Sequence, residues 1–214
     1  MIGKIISMNG RYLEIELEEA FNQEYLKLLA NGDDNFVKVI ELDNRGISPQ
    51  QNALSHALIS DVAKWQGEEP YWSKQDLKHE YFKKNGGIWF EHSKATKSEA
   101  KEWISFLIDF VLKWSVPIPK IYRYLLQETA WFYHCLKYRK CCICLDQADV
   151  AHVDVVGMGR NRKKIDHSDF RFMALCRCHH SEEHTIGTDE FLNKYHITPL
   201  KLNTEDRKKL RIGG

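Results

Sequence analysis

The spacing of apolar and polar positions changes several times along the chain, and each change predicts an element. Residues Lys4–Met8 and Arg11–Leu17 alternate on either side of Asn9-Gly10. That pair predicts a β-hairpin closed by a two-residue type I′ turn, in which both central residues take positive φ. Glu18–Ala30 carries a helical period ending near Asn31-Gly32, and Phe36–Glu41 alternates as a third strand. Ser48 fits an N-cap, with Pro49 at the first helical position and Gln51 closing a capping box. Leu54, Leu58, Val62 and Trp65 then form one apolar stripe, the pattern of a core helix on which His56 reads as a surface or capping residue. Ser73 is expected to cap a helix running to Lys84, and Ile88–Phe90 reads as a short strand. Thr96-x-x-Glu99 is a second capping box. The helix it opens has a wide apolar face made of Trp103, Ile104, Phe106, Leu107, Phe110, Val111 and Trp114. Pro117 and Pro119 end it, and Lys120–Tyr138 reads as an aromatic-rich connector with Leu125, Phe132 and Leu136 along one side. Beyond it, VAHVDVVG (residues 150–157) and Phe170–Leu175 predict two antiparallel strands. A charged tail, TEDRKKLRIGG, follows, and its last residues are expected to fray.

Composition narrows the class. At 214 residues the chain can hold one large or two small domains, and six cysteines confined to the last part favour two. The expected division is an N-terminal domain over residues 1–118, a helical connector over 119–138 and a C-terminal domain over 139–214. A hydrophobic share of 43% is ample for a buried core. The net charge of +1 provides no global basic field, so nucleic-acid contact must come from local patches. Arg160, Arg162, Lys163 and Lys164 make one such patch, and Lys137, Arg139 and Lys140 another. Lysines interleaved with aromatics over Lys74–Lys84, Lys78 among them, could follow phosphates while bases stack, or could simply be a solvated helix face. The start, MIGKIISMNGRY, has no long apolar region of a secretory signal. The apolar run Ile104–Leu112 is short and contains Asp109, which argues against a membrane span. A cytoplasmic location follows, with thiols kept reduced.

The densest chemistry lies between Cys141 and Gly187. Cys141, Cys142, Cys144, Cys176 and Cys178 fall there, with His152, His167, His179, His180 and His184. Cys141-x-x-Cys144 and Cys176-x-x-His179 offer two knuckles and four ligands for a tetrahedral structural Zn²⁺, with Cys178 as the alternative fourth ligand. His180 and His184, four apart, project from one helix face and can share a second metal ion. His152 lies in the first of the two predicted strands. A hairpin bearing one histidine, followed by a short helix bearing two, is a ββα-metal arrangement.

This segment resembles the HNH nucleases, and most nearly those of phages that end in LCRxHHxExHxIG, here Leu175–Gly187. The resemblance implies a metal-dependent endonuclease acting on DNA phosphodiester bonds. His152 would be the general base. His180 and His184 would hold a catalytic Mg²⁺ or another divalent ion. Two positions depart from the pattern. Ala151 stands where relatives commonly have an Asp or His ligand, and Arg171 stands where many have Asn. Asp154 is a candidate to replace the missing ligand.

A second likeness covers roughly Ile40–Pro119. RGISPQQNALSHALISDVAKW, a lysine-containing helix, SKATKSEAK and an apolar helix ending in SVPIP resemble the phage NinB/Orf recombination mediators. That resemblance implies binding of single-stranded or branched DNA, a homodimer, and contact with a host single-stranded-DNA-binding protein. Gln51 and Asn52 are the positions it suggests for DNA contact.

The expected protein is therefore α+β. A mixed hairpin-plus-helices domain is followed by a zinc-stapled ββα-metal domain, acting in the host bacterial cytoplasm as a recombination nuclease. The alternative is a non-catalytic single-stranded-DNA-binding mediator whose HNH module has degenerated.

Overall fold

Gly10 decides the first turn. Strands β1 (Gly3–Asn9) and β2 (Tyr12–Leu17) pair antiparallel with Asn9 opposite Tyr12, so the loop residues are Gly10 and Arg11. Of these two, only Gly10 has positive φ, 59°. The turn thus sits one residue later than the expected Asn9-Gly10 turn. It carries the single leading glycine that a type II′ turn requires, where type I′ needs two positive values. The computed structural model describes residues 2–20, 22–37, 39, 42–119, 129–154 and 170–212.

Helix α1 (Gln23–Ala30) starts later than the periodicity predicts, because the Asn22 side chain accepts from the Tyr25 N–H at 3.1 Å and fixes the start there. It ends on Asn31 in the left-handed conformation. Phe36, Val37 and Val39 are not in a strand, and Lys38, Ile40 and Glu41 lie outside the described residues. Alternation alone could not make a strand there without a neighbour to pair with. The chain divides into two compact units, Met1–Leu42 and Asp43–Gly214. Among the described residues of the first, none is buried.

The second unit begins with four helices, α2 (Pro49–Gln66), α3 (Pro70–Lys84), α4 (Lys97–Trp114) and α5 (Thr129–Tyr138). Both expected capping boxes form. Ser48 and Gln51 exchange bonds of 3.1 Å, and Thr96 and Glu99 do so at 2.8 and 3.1 Å. Thr96→Ala should therefore lower stability by about 1 kcal/mol, read as a shift in the urea midpoint with an unchanged slope. An unchanged midpoint would show that the Gly46–Thr96 bridge, not the cap, fixes this start.

Helix α3 begins at Pro70, and Ser73 does not cap it. Ser73 is buried and donates to Gln66 Oε1 at 2.8 Å, tying α3 to the end of α2. The apolar stripe of α2 is also narrower than expected, since Trp65 is 44% exposed while Leu58 and Val62 are fully buried. Ile88–Phe90 is not a strand; Phe90 instead stacks flat on Trp103, ring centroids 4.8 Å apart. Of the connector, residues 120–128, Leu125 included, lie outside the described residues, whereas Trp131, Phe132 and Leu136 on α5 are buried.

The apolar cluster is continuous from Leu58 through Trp103, Leu107, Trp131 and Leu136 to Phe172, Leu175 and Phe191. Position 118, where the expected N-terminal domain ends, falls within this unit.

Strands β3 (Asp149–His152), β4 (Arg171–Leu175) and β5 (Leu200–Lys201) form an antiparallel sheet in that order. Helices α6 (Arg177–Ile186), α7 (Thr188–Tyr195) and α8 (Thr204–Leu210) complete the unit. The charged tail forms a capped helix up to Leu210. Asn203 caps α8, Leu210 and Ile212 are buried, and Arg139 donates to the Leu210 carbonyl at 2.7 Å. Residues 213 and 214 lie outside the described residues. Mixed α and β structure, with two small sheets and eight helices among the described residues, is the fold class. Among the described residues no helix is long and apolar enough to cross a membrane.

Candidate metal centres

Cys141 follows α5 in a tight knuckle. Its N–H donates to the Asp146 carbonyl at 2.8 Å, and Leu145, in the left-handed region at φ 69°, returns a bond to the Cys141 carbonyl. The Cys142 N–H donates to the Ala174 carbonyl of β4, and Trp131 Nε1 donates to the Cys142 carbonyl at 3.1 Å. The knuckle is thereby fastened to both the sheet and α5.

The second knuckle is the start of α6, with Cys176 as its N-cap residue. Cys141, Cys144, Cys176 and His179 come together with one ligand atom each within 4.8 Å of the others. Cys144 Sγ lies 3.6 Å from Cys176 Sγ, and His179 Nδ1 lies 3.1 Å from Cys176 Sγ and 3.5 Å from Cys141 Sγ. A tetrahedron with Zn–S near 2.3 Å and Zn–N near 2.05 Å has S···S edges of about 3.8 Å and S···N edges of about 3.6 Å. The donor set therefore fits a closed four-ligand metal site. Cys178, the alternative fourth ligand, is exposed and outside the group.

The electrostatics favour a thiolate at the helix start. Burial pushes the Cys176 thiol up, but the backbone amides of His179 and Cys178 and the neighbouring thiols bring it below its ordinary value. Burial pushes the Cys142, Cys135 and Cys144 thiols up. Around the knuckle, the Tyr195 ring stands edge-on to His179 with centroids 5.6 Å apart, and its hydroxyl donates to Glu182.

The next turn of α6 holds a second group, His180, Glu183 and His184, again with ligand atoms within 4.8 Å of one another. The two imidazole centroids are 4.6 Å apart. Glu183 is buried, whereas the His184 side chain is 71% exposed. Sequence reasoning missed Glu183, although the helical spacing that pairs His180 with His184 also puts position 183 on that face.

His152 is the last residue of β3, opposite Phe172 on β4. It is half-buried, and the rings of Phe172 and Phe170 stand edge-on to it at 5.1 and 5.8 Å. Ala151 points into the core, 4% exposed. Asp154 is taken by Arg171, which donates its backbone N–H at 2.8 Å and its guanidinium at 2.7 Å. Those bonds hold the Asp154 carboxyl below the usual range. Asp154, the candidate replacement ligand, is thus engaged by Arg171.

The other nucleic-acid candidates are scattered. Gln51 spends its amide oxygen on the Ser48 N–H and its amide nitrogen on the Lys97 carbonyl, with Asn52 half-buried beside it. Lys78 is nearly buried, its Nζ 5.7 Å from the Trp89 ring centroid, and burial lowers its pKa. Lys137 pairs with Asp109, and Arg139 bonds the chain end, so two members of that expected patch serve the fold. Arg160, Arg162, Lys163, Lys164 and His167 lie outside the described residues.

A knuckle on either side of a strand histidine, and a helix with two histidines, bring together groups that could hold metal ions. A family model described as "Putative HNHc nuclease" matches residues 15–213, and the chain belongs to this family of HNH nucleases. The match runs through both the segment likened to recombination mediators and the metal-ligand-rich segment. No curated protein and no solved structure matches the chain.

Proposed function

We propose that this protein is a phage DNA recombination nuclease that cleaves phosphodiester bonds with a divalent metal, its module stapled by structural zinc on Cys141, Cys144, Cys176 and His179. The observation that carries the reading is the pair of metal-ligand groups that meet at α6, one completed by His179 and the other made of His180, Glu183 and His184, with His152 at the end of β3. Zinc with four protein ligands has no open position, so its contribution is to folding. A divalent ion such as Mg²⁺ on His180 and His184 would supply Lewis-acid stabilisation of the leaving 3′ oxygen. The role of His152 is to accept the proton of the attacking water, and an imidazole can do so near neutral pH. Phe170 and Phe172 restrict its ring to a narrow range of orientations. In this reading Arg160, Arg162, Lys163 and Lys164 contact phosphates, which gives affinity without sequence information and a steep salt dependence. The cytoplasm of the host is the site of action, single-stranded or branched DNA the substrate, and a homodimer in contact with a host single-stranded-DNA-binding protein the working assembly.

The test is cleavage of single-stranded, duplex and branched DNA with Mg²⁺, Mn²⁺, Ni²⁺ or EDTA. Cleavage should require metal, and His152→Ala should lower its rate by roughly 10²- to 10⁴-fold while DNA binding persists. Wild-type cleavage equally fast in EDTA, or untouched by the substitution, would end this reading.

A second reading has its own support. Ala151 is buried and offers no ligand atom, and Asp154 is held by Arg171. A protein that binds DNA tightly and never cuts it under any of these metals is a mediator with a degenerate module.

A further inference from the structure

Glu183 is a carboxylate in an unusual place. Its side chain is only 5% exposed, yet among the described residues no lysine or arginine pairs with it. One oxygen accepts from the Thr188 hydroxyl at the start of α7, and the other lies 3.5 Å from His184 Nδ1. One oxygen takes a hydroxyl proton and the other faces a largely exposed imidazole, so Oε2 keeps acceptor capacity that a cation could use. His180, Glu183 and His184 stand at i, i+3 and i+4 on α6, each with a ligand atom within 4.8 Å of the others. Two imidazoles and one carboxylate form a donor set suited to first-row divalent ions. The strand, by contrast, has lost its ligand at Ala151 and has its next carboxylate, Asp154, engaged by Arg171.

We infer that Glu183 is the third protein ligand of the divalent ion on α6, replacing from the helix the carboxylate that β3 lacks. The inference deepens the nuclease reading and rests on its metal site. Thr188 is then a positioning residue. Its hydroxyl occupies Glu183 Oε1 and leaves Oε2 on the side of His184, where the ion would bind.

The experiment uses full-length, zinc-loaded protein titrated with Mn²⁺. Free Mn²⁺ is followed by electron paramagnetic resonance, and zinc content by elemental analysis. Wild type should bind one Mn²⁺ beyond the zinc. Glu183→Gln should weaken that binding at least ~10-fold, the lower end of what losing even a metal's supporting carboxylate costs, with zinc content unchanged. Glu182→Gln, whose carboxylate faces Lys194 and Tyr195, should bind Mn²⁺ as wild type does. Should Glu183→Gln not fold, Glu183→Asp is measured instead and carries the same expectation for Mn²⁺. Unchanged Mn²⁺ affinity in the folded Glu183 variant, or wild type that binds no Mn²⁺, overturns the inference. If Mn²⁺ binds through Glu183 but DNA is never cut, the nuclease reading fails and the ligand assignment stands. Metal-dependent cleavage with Mn²⁺ affinity indifferent to Glu183 gives the reverse.

Discussion

Stripping the metal from Cys141, Cys144, Cys176 and His179 should unfold the C-terminal part of the protein. Metal binding in zinc-finger-like modules contributes about 10–16 kcal/mol at neutral pH, comparable to the whole stability of a domain. The local structure has few alternatives to fall back on. The sheet has three short strands, one of them Leu200–Lys201, and a backbone bond from Cys142 to Ala174 ties the first knuckle to it. Without the ion, closely packed thiols at the Cys144–Cys176 edge gain nothing from their proximity. The apolar cluster runs without a break from the knuckle through Trp131 into α4, so the loss should spread to α5. Chelation should therefore remove far-UV helical signal and expose bonds beyond Tyr138 to protease, and returned zinc should restore both. Cys176→Ala should behave like the chelated protein. A melting curve unchanged after zinc removal has been verified would mean that packing alone holds the module.

Asp109→Ala should cost about 1–3 kcal/mol, the range for leaving buried hydrogen-bonding groups unsatisfied, because its lysine partners are half-exposed and can return to water. Asp109 sits on α4 at 7% exposure and gathers groups from two other helices. Lys84 of α3 lies at 3.2 Å, and from α5 come Lys137 at 2.6 Å, the Tyr138 hydroxyl at 2.8 Å and His134 Nδ1 at 3.1 Å. His134 in turn holds Ser105 through Nε2 at 3.1 Å. Truncation leaves that cationic set facing an apolar gap, and α5 loses its polar anchor to α4. The same hub sets an acid limit. Burial raises the Asp109 pKa, but hydrogen bonds from His134, Lys137 and Tyr138 outweigh it, and the net shift is downward, well below the carboxylate range. A carboxyl whose folded pKa is depressed contributes stability that is fully present above its unfolded pKa, near 3.9. That contribution is lost as pH falls from there toward the folded pKa. Urea midpoints of wild type should thus fall as the pH is taken from about 5 downward, and Asp109→Asn should flatten the slope. A slope identical in the two proteins would assign the acid limit to other carboxylates.

Local signals were legible where the chemistry is local. The capping boxes at Ser48 and Thr96 depend on residues three apart, and both form. The two knuckles depend on x-x spacing, and Cys141, Cys144, Cys176 and His179 do come together. The spacing that put His180 and His184 on one face was equally sound. Strand prediction failed at Phe36, Val37 and Val39, which pair with no strand among the described residues, and at Phe90, whose ring is taken by Trp103. The turn at Gly10 moved by one residue because register depends on both strands and not on the dipeptide between them.

By itself, then, the sequence determined the ligand types, their spacing and the helix ends, since these follow from covalent reach and backbone period. Only the tertiary structure decided which charges are spent. Burial on α6 set Glu183 against Thr188 and His184, the meeting of β3 with β4 put Asp154 on Arg171, and the packing of α3, α4 and α5 turned Asp109 into a hub. Each of these depends on desolvation and on contacts between residues far apart in the chain. A carboxylate's meaning changes with its surroundings, and the order of residues alone does not specify those surroundings.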